Sequence, residues 1–430
     1  MVRELKHTEI GDIPVDWELQ TFDETFRVIS NNTLSRENLN NRGGAVRNIH
    51  YGDILTKFPE VLDCNEEEIP YVNELSLLSS STQLLQDGDI VVADTAEDET
   101  VGKVIEVQNL GDSKLVAGLH TIPCRVKKGD FAPGWLGYYM NSDLFHNQIL
   151  PYITGIKVSS ISKGAISETL ILVPPFDEQE KIVQSLNKIQ LLMTAETKVV
   201  NKIKLVKNGC LSKMFPQKDD TVPEMRLPGF TEAWEQRKLG ELGSLKNGMN
   251  FSKEAMGIGF PFVNLQNIFG NNVIDGRNLG KAMASDSQLK DYNLQKGDVL
   301  FVRSSVKLEG VGEAALVPQN LENTTYSGFI IRFRDEYGLD NNFKRFLFGI
   351  ESVRNQIMAQ ATNSANKNIS QTVLENLCLK IPNKSEQEKI GLYFSNLDNL
   401  ITLHQCKCDK YSNIKKGMMS DLLTGKIRLV

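Results

Sequence analysis

The sequence contains little histidine and cysteine and no long hydrophobic run. Its 430 residues include five histidines and six cysteines, and cysteines so irregularly spaced do not predict a disulfide framework. No uninterrupted stretch of about 18 apolar residues occurs, and the mean hydropathy is −0.26. The first residues carry several acidic side chains and no apolar block, unlike a signal peptide. We therefore expect a cytoplasmic protein without a membrane span.

Common catalytic motifs are missing as well. The sequence has no Gly-x-x-x-x-Gly-Lys-Ser/Thr loop for nucleotide phosphates and no recognisable Ser/His/Asp set. Val173-Pro-Pro-Phe176 resembles a motif of amino-methyltransferases, but valine cannot accept a hydrogen bond from a target amino group, so we interpret it as a turn. Cys406 and Cys408 point in opposite directions on a helix and cannot chelate one metal ion together. We expect a chain that is not an enzyme by itself and that holds no cofactor or metal.

An internal repeat is the strongest pattern in the sequence. Residues 171–182 align with residues 379–390 at an offset of 208, and both segments end in Glu-Gln-Glu-Lys-Ile. Earlier in each copy the offset drifts, and it is 217 between Trp17 and Trp234. Insertions therefore fall in the first part of each copy and not in the last. A globular domain with variable loops, followed by a long helix, would produce this pattern.

The last part of each copy predicts a long amphipathic helix. Apolar residues recur at alternating spacings of four and three, as in a coiled-coil seam of about five heptads. A lysine, Lys207 or Lys415, occupies the same position of the seam in both copies. Asp177 and Ser385 are the predicted N-caps, and Gly425 is the predicted C-terminal stop. Two such seams in one chain favour helices that pack on each other in antiparallel orientation.

The globular parts predict mixed helix and strand. Short β-branched runs begin at Ile90, Leu170, Val299 and Phe329, and residues 134–149 form an amphipathic pattern. We predict an α/β (α+β) fold with two globular domains separated by two long antiparallel coiled-coil helices, related by an internal pseudo-twofold repeat. The predicted segments are a first domain at 1–172, a central helix at 173–215, a second domain at 216–380 and a C-terminal helix at 381–430.

Charge is distributed unevenly along the chain. The net charge is −6, but residues 61–100 contain eleven acids and no Lys or Arg, and the remainder has 48 basic against 43 acidic side chains. A mildly basic chain with one acidic region can bind DNA without coating it nonspecifically. Asp89, Asp94, Glu97 and Lys103 could form a metal-dependent nuclease centre. Because these carboxylates do not recur in the second copy, a solvated or partner-facing acidic surface is favoured.

Several segments resemble one known family. Residues 10–18 and 222–242, the two Glu-Gln-Glu-Lys-Ile helix openings and the ending Leu422-Leu-Thr-Gly-Lys-Ile-Arg428 are similar to the specificity subunits of Type I restriction–modification systems, twice in the right order. The resemblance implies two target recognition domains, each reading one half of a bipartite asymmetric site on double-stranded DNA. It implies a non-catalytic subunit that directs adenine methylation or restriction by its partners.

The resemblance also implies which partners bind. Two methyltransferase subunits would dock on the long helices, and endonuclease/translocase subunits would join for restriction. S-adenosylmethionine, ATP and Mg²⁺ would be used only by those partner subunits, and the chain itself would hold no cofactor. On the predicted seam, the docking candidates are Ile182, Leu186, Ile189, Met193, Ile390, Phe394, Leu397 and Ile401.

Equivalent positions that differ between the copies are the candidates for reading DNA. Arg36 and Lys253 align and suit a phosphate contact common to both halves. The other candidate pairs are His50 with Gln266 and Asp94-Thr95 with Arg303-Ser304. Lys157 and Lys367, in the loops just before the matching Ile-Ser pair, are further candidates. An arginine such as Arg303 would favour guanine, and Asp94 could accept a hydrogen bond from a cytosine amino group.

Two other functions remain open at this point. A structural coiled-coil protein whose globular ends bind other proteins would show no salt-dependent DNA affinity, even with a methyltransferase present. A free-standing nuclease that uses the acidic residues would cleave DNA in a metal-dependent way as the purified chain alone.

Overall fold

The protein divides into two compact units. The computed structural model describes residues 4–155, 158–217, 220–362 and 365–429. The first unit consists of Met1–Glu196 with Lys407–Val430, and the second unit of Thr197–Cys406. Each unit therefore contains one globular domain together with part of each of the two long helices.

The first globular domain, followed by the first long helix, contains the elements β1 to β15 and α1 to α6. Its strands are β1 Leu5–Thr8, β2 Gly11–Pro14, β3 Glu18–Thr21, β4 Phe26–Val28, β5 Leu39–Asn40, β6 Arg47–Ile49, β7 Val61–Asp63, β8 Tyr71–Val72, β9 Ile90–Ala93, β10 Thr95–Ala96, β11 Val104–Gln108, β12 Leu115–Ala117, β13 Thr121–Val126, β14 Ser159–Ser160 and β15 Leu170–Val173. Its helices are α1 Phe22–Thr25, α2 Tyr51–Thr56, α3 Trp135–Tyr139, α4 Asp143–Ile149, α5 Lys163–Ser167 and the long α6 Phe176–Lys213.

The second globular domain, followed by the second long helix, contains β16 to β26 and α7 to α12. Its strands are β16 Glu235–Lys238, β17 Gly243–Asn247, β18 Met256–Val263, β19 Gly280–Ala282, β20 Val299–Val302, β21 Ser304–Ser305, β22 Ala314–Leu316, β23 Thr325–Tyr326, β24 Ile330–Asp335, β25 Lys367–Asn368 and β26 Cys378–Ile381. Its helices are α7 Leu239–Leu242, α8 Asp286–Asp291, α9 Asn341–Leu347, α10 Glu351–Gln360, α11 Gln371–Glu375 and the long α12 Lys384–Leu422.

The two domains share one sheet architecture. The main sheet has the strand order β4-β13-β9-β11-β7 in the first domain and β17-β24-β20-β22 in the second, so the first four strands of each correspond. The central strands β9 and β20 are completely buried, which explains their continuous β-branched and aromatic sequences. A smaller sheet in each domain contains one parallel pair, β6 with β12 and β18 with β23. The prediction of a repeated α+β fold is confirmed.

In the first unit the two long helices run antiparallel. The Lys415 ammonium donates to the Gln190 side chain (2.8 Å) and to the Glu60 carboxylate of the globular domain (2.5 Å). Further along, the Lys407 ammonium lies 3.3 Å from the Glu196 carboxylate. Gln190 and Glu196 on α6 thus contact Lys415 and Lys407 on α12, so the two helices run in opposite directions. The seam lysine Lys415 is almost fully buried and ties the helix pair to its domain.

The second unit repeats this arrangement. The Lys207 ammonium donates to the Asp398 carboxylate (2.5 Å), which also accepts from the Arg345 guanidinium of the globular domain (2.5 Å). Cys210 Sγ lies 3.3 Å from the Tyr393 hydroxyl. The predicted antiparallel helices are therefore confirmed within each unit. The seam lysines Lys207 and Lys415 form ion pairs, with Asp398 and Glu60 respectively, so their charges are satisfied within the packed helix pair.

The helix ends differ in detail from the prediction. Helix α6 begins at Phe176, so Asp177 lies inside its first turn. Helix α12 begins at Lys384, and the side chain of Asn383 accepts a backbone N–H of its first turn (3.0 Å). Asp177 and Ser385 are therefore wrong as N-caps, each by two positions. The acidic side chain of Asp177 still favours the start of α6 from its first turn. Gly425 has a positive φ of 69° after α12, and its predicted role as the helix stop is confirmed.

Each unit has its own hydrophobic core. Trp17 and Trp135 meet edge to face in the first core, with ring centroids 6.4 Å apart. Phe215 packs against Trp234 and Phe343 in the second core, with centroids 5.8 and 5.7 Å away. Within the described part of the chain, none of the helices is both long and apolar enough to cross a bilayer.

Candidate nucleic-acid interface

The candidate interface of the first domain surrounds Asp94, directly after the buried strand β9. The backbone of Asp94 donates to His120 O (3.1 Å) and accepts from Ile161 N (2.9 Å). Thr95 Oγ1 donates to Asp94 Oδ1 (2.8 Å), and His120 Nδ1 lies 3.3 Å from Thr95 Oγ1 and 3.4 Å from Asp94 Oδ1. The ring of Tyr51 meets the His120 ring edge to face at 5.3 Å. This surface therefore presents a connected set of hydrogen-bonding side chains.

The second domain has the same backbone framework around Arg303, directly after the buried strand β20. Arg303 N donates to Phe329 O (2.8 Å), and Arg303 O accepts from Ile369 N (3.0 Å). Ser304 pairs with Asn368 across the short ladder of β21 and β25. Arg303 therefore occupies the place of Asp94, Ser304 that of Thr95, and Phe329 that of His120.

His50 is more enclosed than the other candidates. It precedes α2, and its Nδ1 accepts the backbone N–H of Gly52 (3.1 Å), so it serves as the N-cap of that helix. Only 8% of its surface is exposed. Burial lowers the pKa of His50, and the Arg36 guanidinium acts in the same direction. The imidazole is therefore held neutral near neutral pH, with Nδ1 as an acceptor.

The alignment of His50 with Gln266 is wrong by two residues. Gly118 N donates to Ile49 O (2.9 Å) where the parallel strands β6 and β12 end. The matching hydrogen bond in the second domain runs from Ser327 N to Val263 O (3.0 Å). Ile49 therefore corresponds to Val263, and the residue equivalent to His50 is Asn264.

Asn264 also begins a short helical segment, because its side chain accepts the backbone N–H of Leu265 (2.8 Å). Gln266 lies two positions further on, exposed within the 3₁₀ turn Leu265–Asn267. The same correspondence makes Tyr51 equivalent to Leu265, so the polar group of the first domain has an apolar counterpart in the second.

Sequence reasoning missed His120 and Phe329. Both lie on a tight turn before the strand that pairs with the central strand, where Thr121 opposes Ala93 and Ile330 opposes Val302. Gly88-Asp89 and Gly297-Asp298, just before the central strands, lie 209 positions apart, and the same offset pairs His120 with Phe329. The sequence comparison aligned only the central strands β9 and β20. It did not extend to β13 and β24, the strands that pair with them.

Arg36 and Lys253 begin equivalent 3₁₀ turns, each preceded by a serine. The Arg36 guanidinium forms two hydrogen bonds with the Asp53 carboxylate, at 2.9 and 2.7 Å, while about half of its side chain stays exposed. Lys253 is exposed. The two residues therefore share a backbone position but differ in their ion pairing.

The two loop lysines have different outcomes. Lys157 lies outside the described residues. Lys367 lies on β25 opposite Ser305, next to the Ser304–Asn368 pair of the same ladder. The ladder thus brings Lys367 into the group formed by Arg303 and Ser304.

The acidic residues do not form a nuclease centre in the described part of the chain. The Asp89 carboxylate is buried and accepts two hydrogen bonds from the Arg125 guanidinium, at 2.8 and 2.6 Å. The Lys103 ammonium donates to the backbone carbonyl of Leu55 (3.2 Å). Asp298 and Arg334 repeat the first pair in the second domain, so it is structural. Among the residues with described positions, no three His, Cys, Asp or Glu side chains could hold a metal ion together.

Half of the predicted docking residues on the long helices are buried inside their own unit. Ile182 and Leu186 belong to the core of the first unit, and Ile390 and Phe394 to that of the second, with no more than 2% of their surface exposed. A partner cannot reach these four side chains, and they are corrected to core residues. The other four predicted residues are partly exposed: Ile189, Met193, Leu397 and Ile401.

Exposed apolar residues lie on the long helices of both units, and two pairs of them occupy equivalent positions. In the first unit they are Leu191, Leu192 and Ile414, exposed by 68, 45 and 37%. In the second unit they include Leu205, Val206 and Leu400, exposed by 73, 44 and 43%, beside the exposed Val199, Leu392 and Leu403. At the offset of 208, Leu192 matches Leu400 and Val206 matches Ile414. We call these sets the first and the second helix patch.

Comparison with known proteins gives one consistent family. The family model for the Type I restriction modification DNA specificity domain matches residues 14–205 and 231–410. A putative type I restriction enzyme MjaX specificity subunit of Methanocaldococcus jannaschii is 24% identical over 440 residues, with 99% of this chain and 96% of that protein covered. The EcoKI specificity subunit of Escherichia coli K12 is 26% identical over 271 residues, which cover 60% of this chain and 56% of that one.

Solved structures have the same fold. The crystal structure of the Type I restriction–modification S subunit from M. genitalium aligns with a TM-score of 0.55 at 13% identity and covers 98% of this chain and 99% of that one. A chain from a study of complex assembly and conformational transition of the type I R-M system aligns with a TM-score of 0.57 at 14% identity, covering 96% and 99%.

Proposed function

The chain belongs to the Type I restriction–modification DNA specificity family, and from this we propose that it reads a bipartite asymmetric site on double-stranded DNA. Each domain reads one half of the site. The observation that carries the proposal is the shared backbone framework around Asp94 and Arg303, which holds different side chains in the two domains. Two domains with the same backbone framework and different side chains suit two half-sites of different sequence.

The chemistry of the two surfaces supports different half-sites. Asp94, Thr95 and His120 offer hydrogen-bond acceptors and donors in the first domain. Arg303 in the second domain carries a guanidinium that can bind a guanine edge through two hydrogen bonds. Arg36 binds Asp53 of α2, the helix that carries Tyr51, and Lys367 lies on the ladder of Ser304. These two cations and Lys253 suit contacts to phosphates.

The helix patches support docking of two copies of one partner. Exposed leucine, isoleucine and valine side chains, with two pairs at equivalent positions, provide an apolar surface on the helices of each unit. Each would bind one methyltransferase subunit. One of the similar solved chains comes from a study of complex assembly of the type I R-M system, which agrees with a chain that works inside an assembly.

In this proposal the reactions belong to the partner subunits. Methyltransferase subunits would bind S-adenosylmethionine and methylate adenine. Endonuclease/translocase subunits would use ATP and Mg²⁺ for restriction. This chain would contribute base recognition and docking surfaces and no catalytic group, so its own side chains determine where on the DNA the reaction occurs.

Co-expression with a cognate methyltransferase subunit tests the proposal. We expect the two proteins to co-purify, and sequencing of methylated adenines should give one motif with two defined halves around an unspecified spacer. A complex that binds DNA no more tightly than the methyltransferase alone, with no methylated motif, would support the scaffold function. Metal-dependent cleavage by the chain alone would support the nuclease function.

A further inference from the structure

Of three equivalent positions, two differ sharply in polarity between the two domains, and the third carries a hydroxyl in both. Tyr51, Thr95 and His120 in the first domain are joined by a hydrogen-bonding distance and a ring contact. Their counterparts in the second domain are Leu265, Ser304 and Phe329, and all three of these line one open pocket of about 540 Å³. The polar group of the first domain has therefore been replaced by a concave apolar surface at the same place.

The pocket exposes more apolar surface than packing requires. Phe329 is 57% exposed on its turn, Val306 is 77% exposed directly after β21, and Phe269 is 38% exposed. Side chains of this size are normally buried, and several of them in one concavity mark a binding surface. Phe329 accepts the backbone N–H of Arg303 after the central strand β20, Val306 follows β21, and Phe269 follows the 3₁₀ turn Leu265–Asn267.

The charges around the pocket suit a nucleic acid. Lys307 lines the pocket, Arg303 precedes Ser304, and Lys367 lies opposite Ser305 on the ladder. Two carboxylates, Glu309 and Glu313, also line it, and Glu313 accepts the backbone N–H of Gly270 (2.9 Å). An apolar floor with cations at its edge matches a base edge held between charged phosphates.

On the basis of the proposed function, we propose that this pocket receives the C5-methyl group of a thymine in the second half-site, against Phe329 and Val306. The thymine methyl is the apolar group that base pairs present in the major groove, and apolar side chains recognise it there. The first domain, with His120 and Tyr51 at these positions, reads its corresponding base pair through hydrogen bonds. Phe329 is therefore a specificity-determining residue of the second half-site.

The test replaces thymine by uracil, which lacks only the methyl group. The complex of the chain with its methyltransferase subunit is titrated with duplexes that carry the methylated motif, and each thymine of the second half-site is changed to uracil in turn. One position should weaken binding about fourfold, the value expected for one buried methyl group. In the Phe329→Ala complex, the same uracil duplex should bind as tightly as the thymine duplex.

Two variants serve as controls. Phe329→Leu keeps an apolar side chain and should retain most of the preference for thymine. His120→Ala removes the equivalent side chain of the first domain and should leave the preference at the second half-site unchanged. Melting curves of each variant show that the fold is retained, which is expected because Phe329 lies on an exposed turn.

The outcomes separate the inference from the function on which it rests. If no motif is methylated and no specific duplex is bound, the proposed function fails. If a bipartite motif is read but no uracil substitution in the second half-site weakens binding, the thymine pocket is wrong and the function stands. A loss that persists unchanged in Phe329→Ala also overturns the assignment of the pocket.

Discussion

Arg428 closes the first unit by binding Glu178, with two hydrogen bonds of 2.6 and 2.7 Å between the guanidinium and the carboxylate. The Trp17 indole donates to the same carboxylate (3.0 Å). Arg226 binds Glu386 in the same way in the second unit, at 2.8 and 2.7 Å. Glu178 and Glu386 open the two long helices, but each arginine follows the other helix. In each unit, the segment after one helix is therefore tied to the start of the helix beside it.

Removing this ion pair should destabilise the first unit. Arg428→Met leaves the Glu178 carboxylate buried without its cation, which costs about 3 kcal/mol. The change should lower the unfolding midpoint of the first unit in chemical denaturation. Lys213→Met is the control in the second unit, because the Lys213–Glu224 pair is exposed and its loss should leave the unfolding midpoint of that unit where it is. Equal effects of the two substitutions would mean that the Arg428 pair does not stabilise the unit.

His50 should make the stability of the first domain depend on pH. Burial lowers its pKa below the ordinary value, so the unfolded state binds a proton first as the pH falls. The stabilising contribution of the neutral imidazole is complete above about pH 6.5 and is lost below it. His50→Asn keeps a capping side chain, as Asn264 does in the second domain, but cannot titrate. The melting temperature of the wild type should fall more than that of His50→Asn between pH 7.5 and 5.5, and parallel curves would contradict the assignment.

Arg303 and Lys253 should affect DNA binding in different ways. Arg303→Ala should relax discrimination at one base pair and cost about 1–3 kcal/mol for the preferred base, if two hydrogen bonds to that base are lost. Lys253→Ala should weaken binding to all sequences and reduce the salt dependence by about one unit of slope. Titrations of matched and mismatched duplexes at several salt concentrations measure both effects. An unchanged slope for Lys253→Ala would remove it from the phosphate contacts.

The helix patches should each account for one partner subunit. Leu191→Glu with Ile414→Glu places two charges in the first patch, and Leu205→Glu with Leu400→Glu does so in the second. Native mass spectrometry should find one bound methyltransferase subunit instead of two for either double variant. Lys416→Glu is a control at an exposed position two residues from Ile414, on the other side of the helix, whose equivalent Asn208 is also polar and exposed, and it should keep both. Two bound subunits in both double variants would show that docking uses another surface.

The sequence predicted the repeat and the long helices because both are local patterns. The Glu-Gln-Glu-Lys-Ile openings and the heptad spacing depend on residues close together in the chain. The heptad pattern could not separate Ile182, which faces the core, from Ile189, which is partly exposed, because both are apolar residues of the same seam. Only the packing of the globular domain against the start of the helix makes that distinction.

The candidate interface was harder to predict because it depends on contacts between distant segments. His120 and Phe329 join Asp94 and Arg303 through backbone hydrogen bonds across paired strands, which no local motif records. Loop insertions between the copies also shift the alignment, so that His50 was paired with Gln266 instead of Asn264. The residue types predicted recognition of bases. Which of these residues lie together could be established only from the register of the paired strands.

Exchange of one domain tests the two-reader account most directly. Strands β16 and β26 pair with each other, and Glu235 opposes Ile381. Because the two ends of the segment 235–381 are therefore neighbours in space, the segment can be exchanged for that of a relative. Strands β3 and β15 provide the same junction for residues 18–173 of the first domain. Methylated adenines are then mapped for each exchange with the methyltransferase subunit present. We predict that each exchange changes one half of the motif and leaves the other half as it was; a motif altered in both halves by either exchange would contradict the account.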